Sequence, residues 1–161
     1  MIGRIINHFY SQLWIHRYKG FRKKYEIDNS FIFNGSDIKL YGDGRIIIGY
    51  GSHIGSYSTI QSTKGCVVKI GRNCRISHNV RVYSKSDYAN QDFSNPNLRT
   101  KTGDIVINDD VWIGVNTYIG PKIIVGKNSV IGANSVLTKD VPENCIVGGV
   151  PAKIIKYKDM D

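Results

Sequence analysis

Four histidines and one carboxylate at the lip of a loop are the side chains of this 161-residue chain best suited to moving a proton. Imidazole titrates close to physiological pH and so can act as a base there. His8 and His16 lie eight apart in the N-terminal segment and read as solvated or interfacial. His53 falls at a turn between Ser52 and Ile54, and His78 lies in RISHNVRVYS. The carboxylate is Asp87, in VYSKSDY. An aspartate with its ordinary pKa near ~3.9 is a poor base at pH 7 unless burial or a like charge raises it. Lys85, two residues earlier, would act in the opposite direction if close. Cys66, Cys74 and Cys145 are odd in number and lack metal-ligand spacing. They read as buried free thiols, and no metal is expected.

The elements that must position these groups are legible as a repeat. Aliphatic residues recur every six positions in four sets of three: Ile48, Ile54, Ile60; Ile70, Ile76, Val82; Ile107, Ile113, Ile119; Val125, Ile131, Leu137. The next residue is Gly at 49, 55, 71, 114, 120, 126 and 132. Three after the aliphatic residue comes Gly51, Asn73, Asn79, Asp110, Asn116, Asn128, Asn134 or Asp140. Four after it the side chain is small or β-branched: Ser52, Ser58, Val80, Val111, Thr117, Ser129, Ser135, Val141. A short strand followed by a sharp corner every six residues needs positive φ at the corner, which Gly, Asn and Asp adopt cheaply. The aliphatic and small residues would then fill a narrow triangular prism of stacked coils. The pattern predicts an all-β fold, a left-handed parallel β-helix, over residues 31–141. A degenerate first coil is expected in Phe31–Leu40 around Ile32 and Ile38. Residues 142–161 are expected to pack on the prism as a tail. His78, two residues after the inward Ile76, should point out.

Two small breaks of phase span Leu40–Ile48 and Ile60–Ile70, and a large one separates Val82 from Ile107. The large break makes 84–104 a loop excursion, and long loops in compact domains usually carry function. At the other end, residues 1–30 form a basic amphipathic segment. Ile2, Ile5, Ile6, Phe9 and Leu13 have helical spacing, and Arg4, Arg17, Lys19, Arg22, Lys23 and Lys24 precede the first acid, Glu26. Such a helix either caps the prism or docks on an anionic membrane surface. No apolar run approaches the ~20 residues of a membrane span, and no signal peptide is read at the N-terminus.

The stretch INDDVWIGVNTYIGPKIIVGKNSVIGANSVLTKDVPENCIVGGVPAKIIK, Ile107–Lys156, resembles the hexapeptide-repeat acetyltransferases. It is most similar to their galactoside, maltose, xenobiotic and polysaccharide O-acetyltransferase branch. The likeness covers about residues 38–157, and its most specific part is the closing TKD…GGVPAKIIK. The buried thiols suit a cytoplasmic location, at the inner face of the membrane if the basic helix docks there, and the resemblance implies an enzyme. It would move acetyl from acetyl-CoA to a sugar hydroxyl of a surface polysaccharide or its precursor. It also implies a homotrimer with clefts between prisms. Coenzyme A would be held by Trp112, Val115, Ala133, Thr138, Lys139, Lys153 and Lys156. The acceptor would lie by Asn79, Tyr83, Ser84 and Tyr88, under the long loop.

The family's histidine base, counted from Val82, falls on position 87, where this chain has Asp87. The base is therefore His78, reaching an adjacent subunit, or Asp87, or His53; alternatively the chain is an inactive homologue that serves as a binding or scaffold protein. A zinc enzyme on this fold needs three histidines, which His53 and His78 cannot supply. The formal net charge of +9 suits an anionic cofactor or membrane, and no recognition motif points to nucleic acid.

Overall fold

A computed structural model describes residues 2–159; of the first eleven, only Gly3, Phe9 and Tyr10 have described side chains. His8, Ile2, Ile5, Ile6 and Arg4 therefore have side chains outside the described set. The chain opens with helix α1, Ile2–Lys24, and then winds into a left-handed parallel β-helix. The prism has three faces. Face 1 stacks Glu26–Ile27, Arg45–Ile48, Val67–Ile70, Ile105–Ile107 and Ile123–Val125. Face 2 stacks Ile32–Asn34, His53–Gly55, Arg75–Ile76, Trp112–Ile113, Val130–Ile131 and Cys145–Gly148, closed by antiparallel Lys153–Tyr157. Face 3 stacks Lys39–Tyr41, Thr59–Gln61, Arg81–Tyr83, Tyr118–Ile119 and Val136–Leu137.

The period-six residues form the predicted ladders. On face 2, Phe33, Ile54, Ile76, Ile113, Ile131 and Val147 pair rung to rung. The four middle rungs are at most 1% exposed. All eight small positions named from the sequence are buried. Their hydroxyls are bonded as well: Ser52 Oγ donates to the Gly71 carbonyl at 2.8 Å and accepts from the Cys74 amide at 2.8 Å. No buried side-chain polar atom among the described residues lacks a hydrogen-bond partner. The satisfaction is necessary, because an unmet donor in this interior costs about 1–3 kcal/mol.

Positive φ occurs at Gly51, Asn73, Asn79, Asp110, Asn116, Asn128 and Asn134, as the corners require. Asp140 is not among them; its Oδ1 instead accepts from the Ile124 amide at 2.8 Å. Tyr57 and Lys122 hold the same corner position at φ 63° without being Gly, Asn or Asp. The stacked coils impose the left-handed corner at a cost of about 1–2 kcal/mol each.

The first coil departs from the sequence reading, by one residue on face 2 and by two on face 3. Ile32 points outward and is 60% exposed. Phe33 takes the ladder position opposite Ile54, and Leu40, not Ile38, stands opposite Ile60. Ile38 is buried in the small-residue register, where no earlier coil crowds it. The reason is the cap. The last turns of α1 lay Tyr18 on Phe33, stacked at 4.3 Å, with Phe31 edge-on to Phe33 at 4.9 Å. The Tyr18 hydroxyl donates to the Gly35 carbonyl at 2.7 Å. Aromatic area closes the open end that aliphatics seal elsewhere.

This phase can be checked by chemical denaturation. Phe33→Ala should destabilise by about 2–3 kcal/mol, less than a fully buried truncation because the ring is half-buried. Ile32→Ala should change stability by no more than about 0.5 kcal/mol. The reverse order would restore Ile32 to the interior.

Candidate functional site

The corner between faces 2 and 3 carries one ordered column of residues. Each member stands two after a ladder residue: Ser56, His78, Val115 and Ala133. Backbone bonds fix their stacking. The Asn79 amide donates to the Ser56 carbonyl at 2.9 Å, Asn116 to His78 at 3.2 Å, and Asn134 to Val115 at 2.8 Å. The neighbouring column is a side-chain ladder in which Asn79 Nδ2 donates to Asn116 Oδ1 at 2.7 Å and Asn116 Nδ2 to Asn134 Oδ1 at 3.0 Å. His78 is exposed, and its ring rests over Gly55. A Cβ on Gly55 would lie 2.7 Å from His78 Nδ1 and 2.8 Å from its backbone nitrogen. The glycine is thus what lets the imidazole lie against the coil before it. Val115 is exposed, as is Ala133, whose amide lies close above Gly114.

Two further groups of residues lie elsewhere on the prism, one past the end of face 3 and one on face 2. Thr138, Lys139 and Lys153 line one pocket of about 330 Å³ over Val147, Ala152 and Ile154. Lys156, on the antiparallel strand, pairs with Ile146. Lys139, Lys153 and Lys156 make no ion pair among the described residues. Two free ammonium groups over an apolar floor suit a phosphorylated ligand with a nonpolar arm. The other group is a groove of about 810 Å³ on face 2, lined by His53, Arg75, Trp112, Val130 and Lys158. His53, Arg75, Trp112 and Val130 occupy one outward column. Trp112 is 51% exposed, outside the prism. Burial, followed by the charge of Arg75, holds His53 below the usual imidazole pKa. Lys158 reaches the groove from the tail and donates to Asn128 Oδ1 at 2.8 Å.

The loop excursion is built on an antiparallel hairpin, Lys85–Asp87 against Thr100–Thr102. Asp87 pairs with Thr100 and is exposed. Tyr88 lies under the Arg99 guanidinium at 5.6 Å. Ser84 is fully buried at the root. It accepts from the Thr63 amide at 2.7 Å, and its carbonyl accepts from Gly103 at 3.0 Å, so it ties both ends of the excursion. Tyr83 meets Tyr118 edge-on at 6.0 Å on face 3. Within one chain, then, His78 is brought to Val115 and Ala133. Asp87 leaves from the opposite end of face 3, and no hydrogen bond or ion pair joins it to His78 among the described residues.

Sequence reasoning missed that His78 shares its column with Val115 and Ala133, although the common offset of two from Ile76, Ile113 and Ile131 carried that signal. It also missed Arg75 and Lys158 in the face 2 groove. Arg75 shares the offset of Trp112; Lys158 comes from the tail, beyond the repeat.

The fold and the corner rules define a hexapeptide-repeat β-helix protein. The family model described as bacterial transferase hexapeptide (six repeats) matches residues 104–139, and that of the hexapeptide repeat of succinyl-transferase matches 45–84. Hexapeptide repeats of the transferase kind are thus matched in both halves of the chain. It is 40% identical over 120 residues, 74% of its length, to the polysialic acid O-acetyltransferase of Escherichia coli O1:K1. It spans 39% of the length of that curated relative. Among solved structures, a hexapeptide-repeat acetyltransferase of Vibrio cholerae complexed with acetyl coenzyme A superposes with a TM-score of 0.72 at 28% identity, over 91% of this chain and 78% of that one. A galactoside acetyltransferase in complex with coenzyme A superposes at 0.67 and 27% identity, over 80% and 66%.

The Gly55 contact gives a direct test of how this edge is built. Gly55→Ala should destabilise by about 1–3 kcal/mol, since backbone must shift to admit the methyl. Gly20→Ala, mid-helix with nothing within 4 Å, should stabilise by up to about 1 kcal/mol. Equilibrium urea unfolding of both variants reads the contrast.

Proposed function

We propose that this chain is an acetyl-CoA-dependent O-acetyltransferase acting on a sugar hydroxyl, of a surface polysaccharide or its precursor. The observation that carries the reading is the column placing His78 beside Val115 and Ala133. The resemblance assigns those two positions to coenzyme A, so an exposed imidazole stands one coil from the pantetheine path. The relatives' names support the reaction class. The E. coli relative is an O-acetyltransferase of a polysialic acid, and the V. cholerae structure holds acetyl coenzyme A.

In this reading His78 is the general base. It takes the proton of the acceptor hydroxyl as that oxygen attacks the thioester carbonyl carbon. The carbon–sulfur bond then breaks, and the imidazolium returns the proton to the leaving thiolate, giving the ester and free coenzyme A. A positioned base of this kind contributes about 10²–10⁴ in rate. Lys139 and Lys153 hold the phosphates, Lys156 supplements them, and Trp112 flanks the pantetheine. Tyr83 and Tyr88 face the acceptor, with Asn79 fixing the corner and Ser84 the loop root. Asp87, on the hairpin, orients the acceptor or the histidine across a subunit boundary. The working assembly is a homotrimer, and the site of action is cytoplasmic, where acetyl-CoA is made. The reading needs no metal, and no metal-holding cluster exists among the described residues.

Thermal unfolding with coenzyme A tests the first step. At a hundredfold excess over Kd it should stabilise the protein by about 2.7 kcal/mol. Lys153→Ala should weaken coenzyme A at least several-fold and leave dephospho-coenzyme A less affected if it meets the 3′-phosphate. His78→Ala should then lower kcat for transfer to candidate sugars by about 10²-fold or more, with coenzyme A affinity within twofold. No shift with coenzyme A would sink the enzyme reading. Full activity in His78→Ala together with its loss in Asp87→Ala would move the base to the hairpin.

A further inference from the structure

The N-terminal helix does more than close the prism. Its 23 residues extend about 35 Å, and among the described residues it packs on the core through Trp14, Tyr18 and Phe21, all in its second half. The half before it carries exposed apolar residues: Phe9 at 64%, Tyr10 at 58%, Leu13 at 49%, with Ile15 at 46%. Phe9 and Leu13 are four apart and share one side of the helix. Tyr18 and Trp14, which face the prism, lie on another.

The same element is strongly basic. Arg4, Arg17, Lys19, Arg22, Lys23 and Lys24 precede the first acid at Glu26. Arg22 is occupied: it donates to the carbonyls of Asp28 and Phe31, bracing the cap. Arg17, Lys19, Lys23 and Lys24 are exposed and make no ion pair among the described residues, although Arg17 lies over the Trp14 ring at 5.3 Å and Lys24 over the Tyr25 ring at 5.1 Å. No helix of the described residues is long and apolar enough to cross a membrane. An exposed aromatic and aliphatic tip followed by a collar of exposed cations with no acid beside them is what an interfacial helix needs. The apolar side chains enter the acyl boundary while the cations meet anionic headgroups.

We propose that α1 docks this protein on an anionic lipid surface, with Phe9, Tyr10 and Leu13 inserted and Arg17, Lys19, Lys23 and Lys24 at the headgroups. The inference rests on the helix alone and does not depend on the proposed acetyl transfer. Charge argues against the competing occupant, a second copy of the same helix. Pairing would bring two uncompensated sets of cations together with no acid on either helix before Glu26. If three copies assemble with parallel prism axes, their helices lie at one end and act together on one surface.

Co-sedimentation with vesicles of phosphatidylcholine alone, or of phosphatidylcholine with phosphatidylglycerol, tests the docking on the full chain. The wild type should bind the anionic vesicles at low salt at least tenfold better than the neutral ones. Phe9→Ser with Leu13→Ser, and separately Lys19→Glu with Lys23→Glu, should each reduce anionic binding at least tenfold. Far-UV circular dichroism and the unfolding temperature should stay at wild-type values, because these side chains are exposed. Failure of the wild type to bind anionic vesicles would overturn the proposal. So would equal binding by either pair of variants. A fall in assembled mass in the Phe9 and Leu13 variant, without vesicle binding by the wild type, would assign the face to copy–copy contact instead.

Discussion

The narrow bore of the prism is the constraint on which everything else depends. Each coil turns three corners in about eighteen residues, so the interior admits one aliphatic side chain per face and only a small one at each bend. Ile54, Ile76 and Ile113 stack directly above one another and are fully buried. Each buried isoleucine contributes about 1.5–3 kcal/mol, and stacked coils share that contribution between neighbours. Because the bore cannot widen, polar atoms inside must bond within it, as Ser52 and Ser58 do with the next coil. The corner residues have no such freedom either: Tyr57 and Lys122 adopt left-handed φ although their side chains disfavour it.

Rigid stacking converts linear spacing into lateral columns. His78, Val115 and Ala133 lie 37 and 18 residues apart in the chain and become neighbours along one edge. His53, Arg75, Trp112 and Val130 do the same on face 2. A site assembled this way gains its geometry from the backbone ladder rather than from a network of side chains. The two elements that leave the ladder, α1 and the hairpin of 85–102, are where the fold is free to vary. One carries cations and apolar side chains at the capped end. The other carries Asp87 and Tyr88 away from face 3.

Period, corner type and small interior positions were legible because each follows from local sterics. Ladder phase in the first coil was not, since Phe31, Ile32 and Phe33 are all apolar and α1 decides which of them turns inward. Tyr57 and Lys122 carried no sign of their φ, because the neighbouring coils impose it. The hairpin pairing of Lys85–Asp87 with Thr100–Thr102 was hidden in a polar segment lacking alternation. The histidine column could have been found by writing the sequence in register. The contribution of Lys158 could not, because it depends on how the tail folds back.

The central claim is that the coils set the site and the hairpin is an appendage that completes it. Replacing residues 86–101 by a short glycine-containing turn, which leaves the Ser84–Gly103 tie in place, tests this most directly. Coenzyme A affinity and the unfolding free energy of the replacement should be measured beside those of the wild type. The account predicts stability within about 1 kcal/mol, since surface loop closure changes little with length. It also predicts unchanged coenzyme A binding, with acetyl transfer lost. Collapse of the β-helix, or loss of coenzyme A binding in a folded replacement, would contradict it.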